Sequence, residues 1–194
     1  MRESLALTRW GSVARWTTLA RDLFLVVAAS LVVALSAQVA VYLPFTPVPI
    51  SGQTFAVLLV GAALGSRRGA LSLLTYMAQG AAGLPVFAGG AAGLAVVLGP
   101  RGGYLVGMVL AAYVVGWLAE RGWDRQILRA AGAMLVASAV LYLCALPWLA
   151  LWLGVDLQAA AMLGLLPFLV GDAVKIVLAA IGLPVAWELL SRLQ

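Results

Sequence analysis

Long apolar stretches, broken by short clusters of arginine, proline and glycine, run through almost the whole chain. Their lengths predict six spanning helices, at about 23–43, 54–65, 69–84, 104–119, 130–153 and 166–190. The second and third are short, because crossing a ~30 Å hydrocarbon core takes about 20 helical residues. Between the third and fourth lies PVFAGGAAGLAVVLGPRGGY (85–104), too rich in glycine for a good helix and too apolar for a solvated loop. It is read as a partly buried loop tucked into the bundle, since non-helical backbone at that depth must lie against protein or a water-filled cavity. Segments 44–53, 66–68, 120–129 and 154–165 are read as loops.

Composition gives this pattern a solvent. Hydrophobic residues make up 64% of the chain and charged residues 10%, against about 25% charged in a soluble domain. The expected fold class is therefore an all-α integral membrane protein, a six-transmembrane-helix bundle over 23–194. Segment 1–22 precedes it, with Trp10 and Trp16 interleaved among arginines as in an interfacial helix or membrane-surface anchor. A signal peptide is the competing reading, but the apolar run is of span length and continues into a polytopic chain, which favours retention.

The arginines predict which way up the bundle sits. Arg2, Arg9, Arg15, Arg21, Arg67, Arg68, Arg121, Arg125, Arg129 and Arg192 flank alternate loops and the termini, leaving only Arg101 for the other side. By the positive-inside rule both termini are cytoplasmic, which requires an even number of spans. Arginines so placed belong at membrane faces, so the net charge of +5 does not imply nucleic acid.

Three charges fall where they are least expected. Lys175 is the only lysine, and it lies three residues after Asp172 inside the last apolar segment. Each such charge costs about 2.5–3.5 kcal/mol at the bilayer centre, and i, i+3 spacing lets the two pair on one helix face. With the last span starting outside, both lie on the order of 10 Å deep. Arg101, within GPRGGY, belongs to the same outer part, so a cavity of net positive character suited to a carboxylate is expected there. Structural readings compete: an ion pair that only fixes helix register, an arginine that caps its loop or touches lipid phosphate, or a proton relay through Asp172. Pro44, Pro47 and Pro49 stiffen the 44–53 loop into a wall or lid, where Thr46, Ser51 and Gln53 offer neutral hydrogen bonds. Tyr42, Phe45, Phe87 and Tyr104 can line an apolar slot or anchor the interface. Small residues recur at spacing four on the first span, Ser30–Ala34 and Ser36–Ala40, with Ala29–Ala37 on a related face; the stripe Ser30, Ala34, Ala37 and Ala40 favours close helix contact, within the bundle by default and with a partner membrane protein in the sharper reading.

Other chemistry is excluded by what is missing. The chain has no histidine and one cysteine, Cys144, so neither a His/Cys metal site nor a disulfide framework can be built. It has no GxxxxGK[ST] loop for ATP and no Ser–His, Cys–His or paired-carboxylate arrangement. An enzyme is not expected, and neither is a cofactor.

The motifs PFTPVPISGQTF (44–55), GLPVFAGG (83–90), LGPRGGYLVG (98–107) and PFLVGDAVKIVLA (167–179) together resemble the BioY family, the biotin-specific substrate-binding (S) components of energy-coupling factor transporters. The resemblance runs from about residue 25 to the end. It implies a six-helix S-component fold in a prokaryotic cell membrane and a high-affinity outward-facing biotin pocket. It also implies an ATP-driven energising module, made of a transmembrane coupling protein and two ATPase subunits. ATP would be bound only by those partners, whose contact with S components is typically made through small residues of the first helix. A homo-oligomer without a dedicated module also fits. On this resemblance Asp172 accepts from the ureido N–H groups of biotin, and Lys175 donates to the ureido carbonyl or to the carboxylate. Gly89, Gly90, Phe87 and Tyr104 enclose the ring, with Arg101, Gln53 and Thr46 around them. The remaining alternatives are a stand-alone or proton-coupled carrier of a small vitamin or carboxylate, and a non-transport scaffold.

Overall fold

The structure is a computed structural model, and it describes residues 15–192. Its first helix, α1 (Arg15–Gln38), buries Val26, Ala29, Ser30, Val33, Ala34 and Ala37 at helical spacing. The opposite face leaves Leu23, Phe24, Leu31 and Leu35 exposed, a distribution suited to lipid and costly in water. Ser30, Ala34 and Ala37 thus serve contact within the chain, against the inner helices. The small side chains let neighbouring backbones close over them, and large apolar side chains face outward. Ala40, the fourth of that set, is not helical at all.

The first predicted span also ends early. Past Gln38 the chain turns into β1 (Ala40–Val41), paired antiparallel with β2 (Ile50–Ser51), Ala40 opposite Ser51 and Val41 opposite Ile50. Gln38 closes the helix by donating through Nε2 to the Ala34 carbonyl at 2.9 Å. The three prolines that follow lie in or beside the hairpin loop, where a missing N–H costs no ladder bond.

A tight pair comes next, α2 (Gln53–Leu64) and α3 (Ser66–Ala81), joined by Gly65 at φ 82°. The buried centre is α5 (Gly102–Ala119). On one side its Gly116 meets the α2–α3 turn, where a Cβ would lie 2.5 Å from backbone atoms of Gly65 and Ser66. On the other, Gly103 and Gly107 face α6 (Ile127–Leu153), where added Cβ atoms would fall 2.4 Å from Trp148 Cβ and 2.6 Å from the Leu141 carbonyl oxygen. Backbones this close are the use small residues serve in membrane bundles.

Between α3 and α5 the chain is largely irregular, as expected. A 3-10 turn at Ala88–Gly90 and a short helix, α4 (Leu94–Leu98), interrupt it. The segment 154–165 is not a simple loop: it holds α7 (Leu157–Gly164), whose first turn is capped by Asp156 Oδ1 accepting from Ala159 N at 2.7 Å. The last helix is α8 (Leu166–Arg192).

All six predicted segments fall on α1, α2, α3, α5, α6 and α8. Among the described residues, four stretches are long and apolar enough to cross a membrane: Leu19–Gln38, Gly102–Ala119, Ile127–Leu153 and Leu166–Val185. At 12 and 16 residues, α2 and α3 are shorter. Polar contacts sort the two ends of the bundle. At one, Arg68 pairs with Asp22 at 2.9 Å, and Glu120 accepts from both the backbone N–H and the hydroxyl of Ser66, each at 2.8 Å. At the other, Tyr42 donates to the Ala88 carbonyl (2.9 Å), Trp148 to that of Gly99 (2.9 Å), and Tyr104 to that of Gly164.

Candidate ligand-binding site

Asp172 and Lys175 share one face of α8 because three residues nearly complete a helical turn. They pair at 3.3 Å with side chains 11% and 16% exposed. Two other helices reach them. From α2, the Thr54 hydroxyl accepts from Lys175 Nζ at 2.7 Å and donates to Asp172 Oδ1 at 3.4 Å. From α6, the Tyr142 hydroxyl donates to Asp172 Oδ2. The two costly charges are therefore paired and hydrogen-bonded, as buried charges must be.

Beside this cluster lies an open cleft, about 550 Å³ when the solvent at its mouth is included. Its floor and sides carry Thr54, Tyr142 and Lys175 with Tyr104, Phe168, Leu105, Met108 and Leu141; Phe87, Ala88, Val96, Arg101, Val48, Pro49, Ser51 and Gln53 complete it. Tyr104 stands edge-on to Tyr142 (centroids 6.3 Å) and tilted against Phe168 (6.2 Å). The opposite wall is equally fixed. Phe87 packs edge-on to Tyr76 at 5.5 Å and lies on Gly80, where any Cβ would enter its ring. Tyr76 in turn accepts from Gln53 Nε2 at 2.5 Å.

At the mouth, Arg101 lies 5.7 Å from the Tyr42 ring centroid and donates to the Ala88 carbonyl at 3.4 Å. It has no carboxylate partner among the described residues. The cleft thus offers an anion one guanidinium and, elsewhere on its wall, the ammonium of a tightly held ion pair.

Of the residues singled out from sequence, Lys175, Arg101, Tyr104, Gln53, Ser51, Pro49 and Phe87 line the cleft, with Asp172 bonded directly behind Lys175. Gly89 and Gly90 form the left-handed turn (φ 68° and 76°) that brings the Ala88 carbonyl to Tyr42 and Arg101; they shape the mouth and do not line the cleft. Thr46 is not in the lining, and its hydroxyl accepts from Val48 N within its own loop at 3.3 Å. Thr54, Tyr142 and Phe168 escaped the sequence reading. Neutral hydroxyls and aromatics inside apolar helices carry little signal, although Thr54 lies one residue after Gln53 in the same motif.

Helices apolar enough to span a bilayer, enclosing a mostly apolar cleft with a few placed charges, define a membrane protein that binds a small ligand among its helices. The chain belongs to the BioY family, whose model matches residues 5–192. It is 37% identical to a biotin transporter BioY of Rhizobium etli over 73% of this chain and 79% of the relative. A BioY of Thermotoga maritima is 36% identical, with 73% and 82% covered, and a probable one of Pyrococcus horikoshii is 38% identical, with 75% and 83% covered. Its fold is that of the S-component for biotin from an ECF-type ABC transporter: the crystal structure superposes with a TM-score of 0.79 at 21% identity, covering 91% of this chain and 95% of the other.

Proposed function

We propose that this chain is the biotin-binding membrane subunit of a biotin uptake transporter. The observation that carries the reading is the Asp172–Lys175 pair, held by Thr54 and Tyr142 against an apolar cleft. Such a pair offers adjacent donor and acceptor groups, which suit a ureido ring, while the aromatic walls suit a thioether ring and alkyl chain. Arg101, without an acid partner, suits the ligand carboxylate. The biotin transporters among its relatives and the S-component fold support the same assignment.

Orientation follows from the arginines. Arg21, Arg67, Arg68, Arg121, Arg125 and Arg129 gather at the end where Asp22 meets Arg68 and Ser66 meets Glu120, whereas the cleft is built from the opposite ends of α2, α5, α6 and α8. On the positive-inside rule the cleft faces outward, six helices cross the plasma membrane of a prokaryotic cell, and both termini lie in the cytoplasm. Delivery inward then falls to an energising module with its own ATPase subunits, because this chain carries no nucleotide-binding loop. Segment 1–22 fits a cytoplasmic or interfacial lead-in to the bundle.

Equilibrium binding of biotin to the detergent-purified chain tests the assignment, with Asp172→Asn/Lys175→Met alongside. Binding by wild type that disappears in a double variant with an unchanged melting temperature is expected. A folded wild type that ignores biotin would remove the reading.

A further inference from the structure

Counting donors and acceptors at the ion pair shows what it has left for a ligand. Lys175, which lines the cleft, has three N–H groups; Thr54 takes one at 2.7 Å and Asp172 another at 3.3 Å, so one remains. Asp172 has about four lone-pair positions. Lys175 and Thr54 occupy Oδ1, Tyr142 occupies one position on Oδ2, and a single acceptor position on Oδ2 is left. Tyr142 and Thr54 both line the cleft, on different helices, and between them they hold the carboxylate from its two sides. Thr54 and Lys175 bind Oδ1, and among the described residues the Tyr142 hydroxyl alone donates to Oδ2, so it decides which acceptor position of Oδ2 is left for a ligand.

We propose that Tyr142 is a specificity-determining positioning residue. Its hydroxyl aims the one free acceptor of Asp172 at an N–H group of the ligand, beside the free N–H of Lys175. The site then reads a vicinal N–H and C=O, the edge of a cyclic urea, and rejects a ring without the N–H. The inference rests on the biotin reading and adds the residue that makes the ring edge legible. The energetic logic is asymmetric: a ligand lacking the N–H leaves a buried carboxylate position unsatisfied, which penalises it more steeply than a lost apolar contact.

The test uses the full purified chain and two probes, biotin and biotin methylated on both ureido nitrogens. Wild type should prefer biotin by on the order of 10-fold or more, as expected for loss of a hydrogen bond to a charged group. Tyr142→Phe should weaken biotin by a similar factor and leave the methylated probe within about 2-fold, collapsing the preference. Equal weakening of both probes, or no weakening of either, overturns the positioning role. If Tyr142→Phe does not fold, Asp172→Asn/Tyr142→Phe is compared with Asp172→Asn alone. Equal preferences in the two are expected, and a further drop on losing the hydroxyl would show that Tyr142 acts independently of Asp172. Wild type that binds neither probe defeats the biotin assignment itself, and the role of Tyr142 with it; wild type that binds both equally defeats only the latter.

Discussion

Removing the Lys175 ammonium would leave Asp172 with Thr54 and Tyr142 as its only donors among the described residues. Breaking a fully buried pair costs about 3–5 kcal/mol, but these side chains are 16% and 11% exposed and two donors remain. Lys175→Ala is therefore expected to destabilise the ligand-free protein by about 1–3 kcal/mol, seen as a lower melting temperature in detergent, as well as to lose biotin. Indistinguishable melting curves would mean the pair is solvated. Arg101 predicts the opposite split. Its contacts are a long hydrogen bond and an aromatic face, so Arg101→Gln should leave melting unchanged and weaken biotin on the order of 10-fold or more through loss of a charge-assisted hydrogen bond. Equal affinity in that variant would return Arg101 to loop capping. At this scale the sequence spoke wherever a charge stood in apolar surroundings, because only a charge is costly enough there to demand a reason. Thr54 and Tyr142, which complete the cluster, were silent because a hydroxyl inside a helix needs no special reason.

Among the elements, legibility followed length. Apolar runs longer than a dozen residues announced every long helix, and ends were displaced where backbone pairing or capping decided them. Val39–Leu43 reads as more of the first span because it is apolar; only the ladder with Ile50–Ser51 makes it a ribbon. Helix α7 has eight residues, too few for periodicity to separate from a loop, and its one clear signal is the Asp156 cap. Asp156→Ala should accordingly cost about 1 kcal/mol, measurable as a small drop in melting temperature. The central helix depends on different chemistry. A side chain at Gly107 must displace the Leu141 backbone, so Gly107→Leu is expected to prevent stable folding, whereas Gly182→Ala, with open space around its Cβ position, should be tolerated. A well-folded Gly107→Leu protein would show that α5 and α6 can separate without loss of the bundle.

The whole molecule is polar in a second sense, between its two ends. Arg21, Arg67, Arg68, Arg121, Arg125 and Arg129 gather at the end fastened by the Arg68–Asp22 and Ser66–Glu120 contacts, whereas Arg101 stands at the end with the cleft. Inverting the bundle would require those six charges to be translocated, which the insertion machinery resists for short basic loops. Two exposed glutamines mark the ends: Gln126, before α6, and Gln158, on α7. With Cys144, the only native cysteine, replaced by serine, a single cysteine at either glutamine reports its side to a membrane-impermeant maleimide added to intact cells. Gln158→Cys should react at once, and Gln126→Cys only after permeabilisation. The reverse pattern would turn the cleft toward the cytoplasm and make uptake through it impossible without refolding the arginine-rich end. The expected pattern instead puts that end, bounded by the α2–α3 turn and the close of α5, on the cytoplasmic side.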